Sequence, residues 1–142
     1  MNPLGKARVS EVTAHFRADV ESVWNLVTNL QNYTWRSDIK RIDVLNDGNK
    51  FVEYAPNGNA TTFTITAKEP YKEYALSMEH NLFTGSWYGH FSESESGGTT
   101  ITFVEQIRIH NPIIKLLSYA LMNLKKMQLA YISDLKKALG ES

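Results

Sequence analysis

Five polar side chains interrupt stretches of this sequence whose spatial neighbours should be hydrophobic. They are Tyr54, Thr61, His80, Glu105 and Gln128. Burying such a group without a partner costs roughly 1–3 kcal/mol, so each needs a structural partner or a ligand. Together they offer a carboxyl group and an imidazole for acid–base chemistry, and hydroxyl and amide groups for orienting a bound molecule.

Glu105 is the sharpest of these interruptions, because it stands among Ile101, Phe103 and Ile107 on one face of a predicted strand. Apolar walls raise the pKa of a carboxyl group. Glu105 could therefore hold a ligand hydroxyl or act as a general base. The structural alternative is that it pairs with a buried arginine or tyrosine, or reaches water at the mouth of a pocket.

His80 lies between Met78 and Leu82 on a face of the same kind. It fits an acid–base role, or simply a hydrogen-bonded histidine in the core. If Leu82 pairs with Trp87 on the next strand, roughly 12 Å separates the Cα atoms of His80 and Glu105. We therefore do not expect the two side chains to form a direct catalytic pair.

Gln128 lies in the middle of the apolar stripe of a predicted helix over residues 111–140. Its amide can donate and accept, which suits a ligand carbonyl or hydroxyl. The alternative is a hydrogen bond to Tyr54 or to another sheet side chain. For Tyr54 and Thr61, packing and edge positions are the favoured interpretation.

The motifs of nucleotide-, metal- and serine-dependent enzymes do not occur in the sequence. The chain has no cysteine, which excludes a thiol nucleophile and thiolate metal ligands. Its four histidines are far apart. We therefore expect neither a metal nor a cofactor.

The helix over residues 111–140 is the element around which the others must be arranged. Asn111 is a good cap, Pro112 suits the first helical position, and Gly140 follows the last periodic residue. Such a helix is about 42 Å long. A compact chain of this length has a radius of gyration of roughly 14–15 Å. The helix should therefore cross the whole molecule and needs an apolar surface of equal length.

The rest of the chain supplies that surface as strands. Residues 8–16 alternate as a half-buried strand, Asp19 caps a helix, and residues 31–35 suit a short second helix or a turn. Turn signals then divide residues 39–109 into six strands, which predicts an antiparallel meander. One of these turn signals is the pair Thr84 and Gly85.

The inward face of the sheet follows from the period of two along each strand. Pairing of Ala55 with Ala60 across the Asn57-Gly58 turn would turn Val52 and Tyr54 inward and Glu53 outward. Parity places these further residues on the same dry face: Phe63, Ile65, Ala67, Leu76, Met78, His80, Leu82, Trp87, Gly89, Phe91, Ile101, Phe103, Glu105, Ile107 and Ile109.

Composition limits the class of protein. The 142 residues carry 15 basic and 15 acidic side chains, and this balance argues against nucleic-acid binding. There is neither a signal peptide pattern nor an apolar run of about 18 residues. We expect a cytoplasmic protein without stable membrane insertion, formed by a single domain over residues 1–142.

This order of elements, with Val23 and Trp24 early in the first helix and Trp35 in the loop beyond it, resembles the START-like superfamily of polyketide cyclases/dehydrases and lipid-transport proteins. The resemblance implies an α+β helix-grip fold. In it, a seven-stranded curved antiparallel sheet wraps around a long C-terminal helix, with two short helices between strands 1 and 2. It also implies a START-like ligand-binding domain with a deep, mostly apolar pocket for a hydrophobic small molecule.

Three functions remain open at this point. The leading hypothesis is non-enzymatic binding or transport of a lipid, isoprenoid or polyketide-like molecule between the sheet and the C-terminal helix. The second is a cyclase/dehydratase-type enzyme in which Glu105 or His80 moves protons during aldol closure or water loss. The third is a protein-interaction module that uses the hydrophobic groove.

Residues with apolar or ligand-orienting side chains on the inward faces form the predicted ligand-binding set: Trp35, Tyr54, Phe63, Met78, His80, Trp87, Phe91, Phe103, Glu105, Leu121, Leu124 and Gln128. Four apolar residues of the helix lie off its stripe and suit a pocket gate, packing under loops or a homodimer contact: Leu116, Tyr119, Met122 and Leu129.

Overall fold

The computed structural model describes residues 7–141, without the side chains of residues 119–121. Seven strands and three helices follow one another in the order β1 (Arg8–Phe16), α1 (Val20–Thr28), β2 (Arg41–Leu45), β3 (Lys50–Tyr54), β4 (Ala60–Glu69), β5 (Glu73–Glu79), β6 (Phe83–Glu93), β7 (Thr99–Ile109), α2 (Pro112–Leu121) and α3 (Leu124–Ala138).

All seven strands form one antiparallel sheet in the order β1-β7-β6-β5-β4-β3-β2. The meander from β2 to β7 follows the chain, and β1 closes the other edge by pairing with β7. Twist between neighbouring strands bends such a sheet around the helices that cover it. The predicted α+β helix-grip fold is confirmed.

The predicted inward faces of β4 to β7 are also correct for most positions. Met78, Phe91, Ile101 and Phe103 are buried, whereas the alternate positions are more exposed. The prediction that Phe91 pairs with Ile101 is confirmed. The period-two pattern was reliable here because one face is dry and the other is wet.

The predicted register of β3 is wrong by one residue. Tyr54, rather than Ala55, pairs with Ala60, because the hairpin closes through a three-residue loop ending in Gly58 at φ 92°. A left-handed glycine at this place is typical of three-residue hairpins. The one-residue shift reverses every side chain of the strand, so Glu53 faces inward and Tyr54 faces outward.

The predicted turn between β5 and β6 is also misplaced. His80 donates its backbone N–H to the carbonyl oxygen of Phe83, so the chain reverses at Asn81 and Leu82 and not at Thr84 and Gly85. Leu82, predicted to face inward, is therefore 49% exposed. The register moves by an even number of residues, so the inward parity of His80 survives.

The C-terminal helix is broken where the sequence predicts a continuous rod. Met122 has extended backbone angles, and the side chain of Asn123 caps α3 by accepting the backbone N–H of Lys126. Arg8 of β1 donates to the carbonyl oxygen of Met122 at 2.9 Å, which gives one freed helical carbonyl a partner. Asn123 is a good cap residue, and this was the sequence signal for the break.

The segment between α1 and β2 also differs from the expectation of a second short helix. Residues 29–40 form bends and turns, in which the side chain of Asn29 accepts the backbone N–H groups of Gln31 and Asn32. Asparagine competes with helical hydrogen bonds in this way. No helix within residues 7–141 is both long and apolar enough to cross a membrane.

Candidate functional site

A cavity of about 320 Å³ lies under the turns of residues 29–40 and the start of α3. The inner face of the sheet forms its opposite wall. Aromatic and aliphatic side chains provide most of the lining: Val27, Leu30, Tyr33, Trp35, Ile39, Ile42, Phe51, Phe63, Tyr74, Leu76, Met78, Phe83, Trp87, Phe103, Ile107, Met122, Leu124, Met127 and Tyr131.

Nine of the twelve predicted ligand-binding residues line this cavity: Trp35, Phe63, Met78, His80, Trp87, Phe103, Glu105, Leu124 and Gln128. Tyr54 and Phe91 do not. The corrected register turns Tyr54 outward, where the guanidinium carbon of Arg41 lies 4.0 Å from its ring centroid. Phe91 is buried against Trp24 in the packed core. The side chain of Leu121 lies outside the described part of the chain.

The charged part of the cavity is built around Arg36, which the sequence analysis did not single out. Its Nη1 and Nη2 donate to the two carboxylate oxygens of Glu53 at 2.7 and 3.2 Å. Its Nε and Nη2 donate to Asp38 at 3.1 and 2.7 Å. Both carboxylates are held in the two-pronged geometry that favours arginine over lysine.

Arg36 is firmly charged despite its burial. Burial lowers the pKa of Arg36, but the charges of Glu53 and Asp38 outweigh it and raise the pKa well above its ordinary value. Sequence reasoning missed this cluster because the register error turned Glu53 outward. Arg36 and Asp38 also lie in irregular backbone, where no periodicity marks the inward side.

Glu105 faces the same cavity from the centre of the sheet, opposite Trp87 on β6. Burial raises the pKa of Glu105 to about 7, and the negative charges of Glu53 and Asp38 add to this rise, while Arg36 opposes it. Among the described residues, no hydrogen bond or ion pair engages its carboxyl group. Near neutral pH, Glu105 can therefore either donate or accept a proton.

Two tyrosines complete the polar lining. The hydroxyl oxygen of Tyr74 is buried, with no hydrogen-bond partner among the described residues, and burial together with the charge of Glu53 raises the pKa of Tyr74 to about 12. Tyr131 packs between Trp35 and Phe103, with ring centroids 5.5 Å away in each case. Burial raises its pKa above the ordinary value as well. Both hydroxyl groups therefore stay protonated and can donate.

Gln128 has a structural partner of the kind named as its alternative. Its Oε1 accepts from the hydroxyl of Ser10 at 2.7 Å, and its Nε2 donates to the Ser10 carbonyl oxygen at 3.0 Å. The amide therefore joins α3 to β1 at the edge of the cavity. Each end of the amide therefore makes one hydrogen bond to the protein.

His80 lines the cavity at the end of the β5–β6 hairpin, far from Glu105. Its ring stacks on Phe83 with centroids 4.6 Å apart, and its Nδ1 accepts the backbone N–H of Leu82. Glu105 is in register with Leu76 across β6, four residues before His80. Strand spacings then separate the two Cα atoms by roughly 16 Å, so they form no direct pair. In the described chain, no three His, Asp or Glu side chains are grouped as metal ligands would be.

Comparisons with solved structures place this architecture among known folds. The chain is similar to protein XoxI from Bacillus cereus (TM-score 0.74, 12% identity, 92% of this chain and 94% of that one). It is also similar to a START superfamily protein from Mycobacterium smegmatis (TM-score 0.64, 14% identity, 84% and 93%). A third is truncated norcoclaurine synthase from Thalictrum flavum (TM-score 0.73, 10% identity, 96% and 96%). At these identities the similarity concerns the fold alone.

The sequence comparisons give the family. A search of curated protein sequences found no significant match. The sequence profile described as polyketide cyclase / dehydrase and lipid transport, by contrast, matches residues 7–140. That match covers all seven strands and all three helices. The chain therefore belongs to the polyketide cyclase / dehydrase and lipid transport family.

Proposed function

We propose that this protein binds or carries a hydrophobic small molecule in the cavity between the sheet and the C-terminal helices. One observation supports this most directly: a cavity of about 320 Å³ with mainly apolar walls. That volume lies at the lower end of the roughly 300–1,000 Å³ found for ligand pockets. Trp35, Trp87 and Phe103 offer flat surfaces that suit a ring or an unsaturated chain.

The test uses the uncharged fluorescent probe N-phenyl-1-naphthylamine, whose emission rises in apolar surroundings. We expect saturable binding by the purified protein. Mass spectrometry of organic extracts should also detect a molecule that copurifies with it. Failure of the probe to bind, together with empty extracts, would contradict the proposal.

Two neighbouring threonines on β4 provide a matched pair of variants. Thr61 lines the cavity, whereas Thr62 is the next residue along the strand and lies on the other face. We expect Thr61→Trp to fill the cavity and reduce probe affinity at least tenfold, and Thr62→Trp to leave it unchanged. Equal effects of both substitutions would show that the probe binds elsewhere.

Proton transfer by Glu105 is the second candidate function. It is favoured by the pKa of about 7 of this carboxyl group inside the cavity, a value suited to acid–base catalysis near neutral pH. One structural neighbour bears the name of an enzyme, norcoclaurine synthase. Glu105→Gln should then abolish turnover of a polyketide-like substrate while the probe still binds. Full turnover by that variant would exclude this role.

The homodimer prediction depends on exposed apolar side chains of α2 and α3. Leu116 is 72% exposed and Leu129 is 52% exposed. If these surfaces form a contact between copies, sedimentation at micromolar concentration should give twice the monomer mass. Leu116→Lys should return it to the monomer value. A monomeric wild-type chain would remove the basis for this prediction.

A further inference from the structure

The charges around the cavity do not balance. Arg36 contributes one positive charge, whereas Glu53 and Asp38 contribute two negative charges within hydrogen-bond distance of it. The cluster therefore carries one net negative charge. Glu105 adds a second when it loses its proton.

Arg36 has little capacity left for a ligand. A guanidinium group has five N–H donors, and four hydrogen bonds from Arg36 already go to Asp38 and Glu53. A ligand carboxylate that approached this arginine would have to displace a protein carboxylate. The displaced group would then remain close to the ligand charge.

Among the described lining residues, no second side chain supplies a permanent compensating positive charge. Among the described residues that line the cavity, Arg36 is the only lysine or arginine. The one other basic group in the lining is His80, at the far hairpin. An anion inside the cavity would therefore lose its hydration and gain no unpaired cation, which is unfavourable.

Uncharged oxygen atoms, in contrast, would find partners. The carboxyl group of Glu105 lines the cavity and has no hydrogen bond to the described side chains or backbone, and the buried Tyr74 hydroxyl has no partner among the described residues. A carbonyl oxygen can accept from the Tyr74 hydroxyl or from the protonated carboxyl group of Glu105, and a hydroxyl can also donate to a carboxyl oxygen of Glu105. A molecule without such an oxygen atom would leave these polar groups facing an apolar surface, which is unfavourable.

We infer that the cavity selects an uncharged hydrophobic molecule bearing a carbonyl or hydroxyl oxygen, and that it excludes amphiphiles with a carboxylate or phosphate. This inference rests on the proposed ligand-binding function and specifies the chemical class of the ligand. It separates long-chain alcohols, ketones and phenolic compounds from free fatty acids and phospholipids.

The experiment compares three molecules that share one ring system: 2-naphthalenemethanol, methyl 2-naphthoate and 2-naphthoate. Each is titrated against the complex of the protein with N-phenyl-1-naphthylamine at pH 6.5. We expect the alcohol and the ester to displace the probe at concentrations at least tenfold below that of the carboxylate. Carboxylate affinity equal to or above that of the alcohol would overturn the inference and leave the proposed function standing. Failure of the probe itself to bind would instead count against the proposed function.

Variants of the charged cluster test whether its negative charge causes the discrimination against anions. Glu53→Gln and Asp38→Asn each remove one negative charge, so each should raise the affinity for 2-naphthoate at least threefold relative to the alcohol. Asp38 is half-exposed, so Asp38→Asn remains informative if Glu53→Gln does not fold. Glu79→Gln is the control, because Glu79 is an exposed residue at the end of β5 that does not line the cavity. If the ratio of the affinity for 2-naphthoate to that for the alcohol is the same in Asp38→Asn and in the control, the negative charge of the cluster is not the cause of the selectivity.

Discussion

Trp24 and Trp87 lie in two regions of the same sheet that are covered differently. Trp24, on α1, is 4% exposed and meets the rings of Tyr71, Tyr74 and Phe91 edge-on. Trp87, on β6, meets the rings of Tyr74 and Phe103 and also lines the cavity. Aromatic rings fill the space beneath α1, whereas the turns of residues 29–40 and the broken C-terminal helix leave space open. The packing of the covering element therefore decides where the cavity lies.

The largest expected effect comes from the packed region. Trp24→Ala should lower the free energy of unfolding by about 3–5 kcal/mol, because it opens a void that its buried neighbours cannot fill. Trp87→Ala should cost clearly less, because this side chain already borders the cavity, and it should weaken probe binding. Urea denaturation and the probe titration measure both quantities. Equal losses of stability would show that the two regions are packed alike.

The second expected effect tests the charged cluster. Arg36→Met should lower the free energy of unfolding at pH 7 by about 2–4 kcal/mol, because it leaves Glu53 buried beside Glu105 without its cation. Arg41→Met is a matched control, since Arg41 also pairs with an aspartate two residues later but lies on the surface. Denaturation of the two variants should show little change for the control. Similar losses of stability in the two variants would mean that burial of the cluster does not increase its contribution to the free energy of unfolding.

The third prediction concerns pH. The native chain holds the Glu105 proton up to pH about 7, against an ordinary value of 4.5, so between these values it binds more protons than the unfolded chain. Stability from this group therefore falls as pH rises through that window. Glu105→Gln should be near neutral at pH 4 and stabilising by roughly 2–3 kcal/mol at pH 8, measured by urea denaturation. A pH-independent difference would contradict the raised pKa. The charged groups that act on Glu105 (Arg36, Asp38 and Glu53) are the same in both proteins.

The smallest effect tests the bond between β1 and α3. Ser10→Ala removes the hydroxyl that donates to Gln128, and should cost about 1 kcal/mol. Ser86→Ala, on the exposed face of β6, is the control and should change stability very little. Thermal denaturation of both variants checks this. A loss in Ser86→Ala as large as in Ser10→Ala would show that the buried hydroxyl contributes nothing specific.

The sequence predicted the fold and the apolar walls better than the charged cluster. Period-two alternation gave the inward faces of four strands, including Glu105, because burial on one side leaves a strong pattern. In the β3–β4 hairpin, a difference of one residue between the predicted and the observed loop length was enough to turn the side chain of Glu53 from the outer to the inner face. The break in the C-terminal helix was also missed. Asn123 is a good cap residue, but the residues on either side of it continue the apolar stripe of the predicted helix. The length of a loop and the position of a helix cap within an apolar stretch are local features, and the periodicity of hydrophobic residues does not reveal them.

The burial of the ion pair has a consequence for ionic strength. Arg36 and Glu53 are each only 14% exposed, so dissolved ions cannot approach them closely. Mobile ions weaken attraction between surface charges far more than between enclosed ones. The shape of the cavity wall, and the discrimination against anions that we infer from it, should therefore persist from dilute buffer to molar salt.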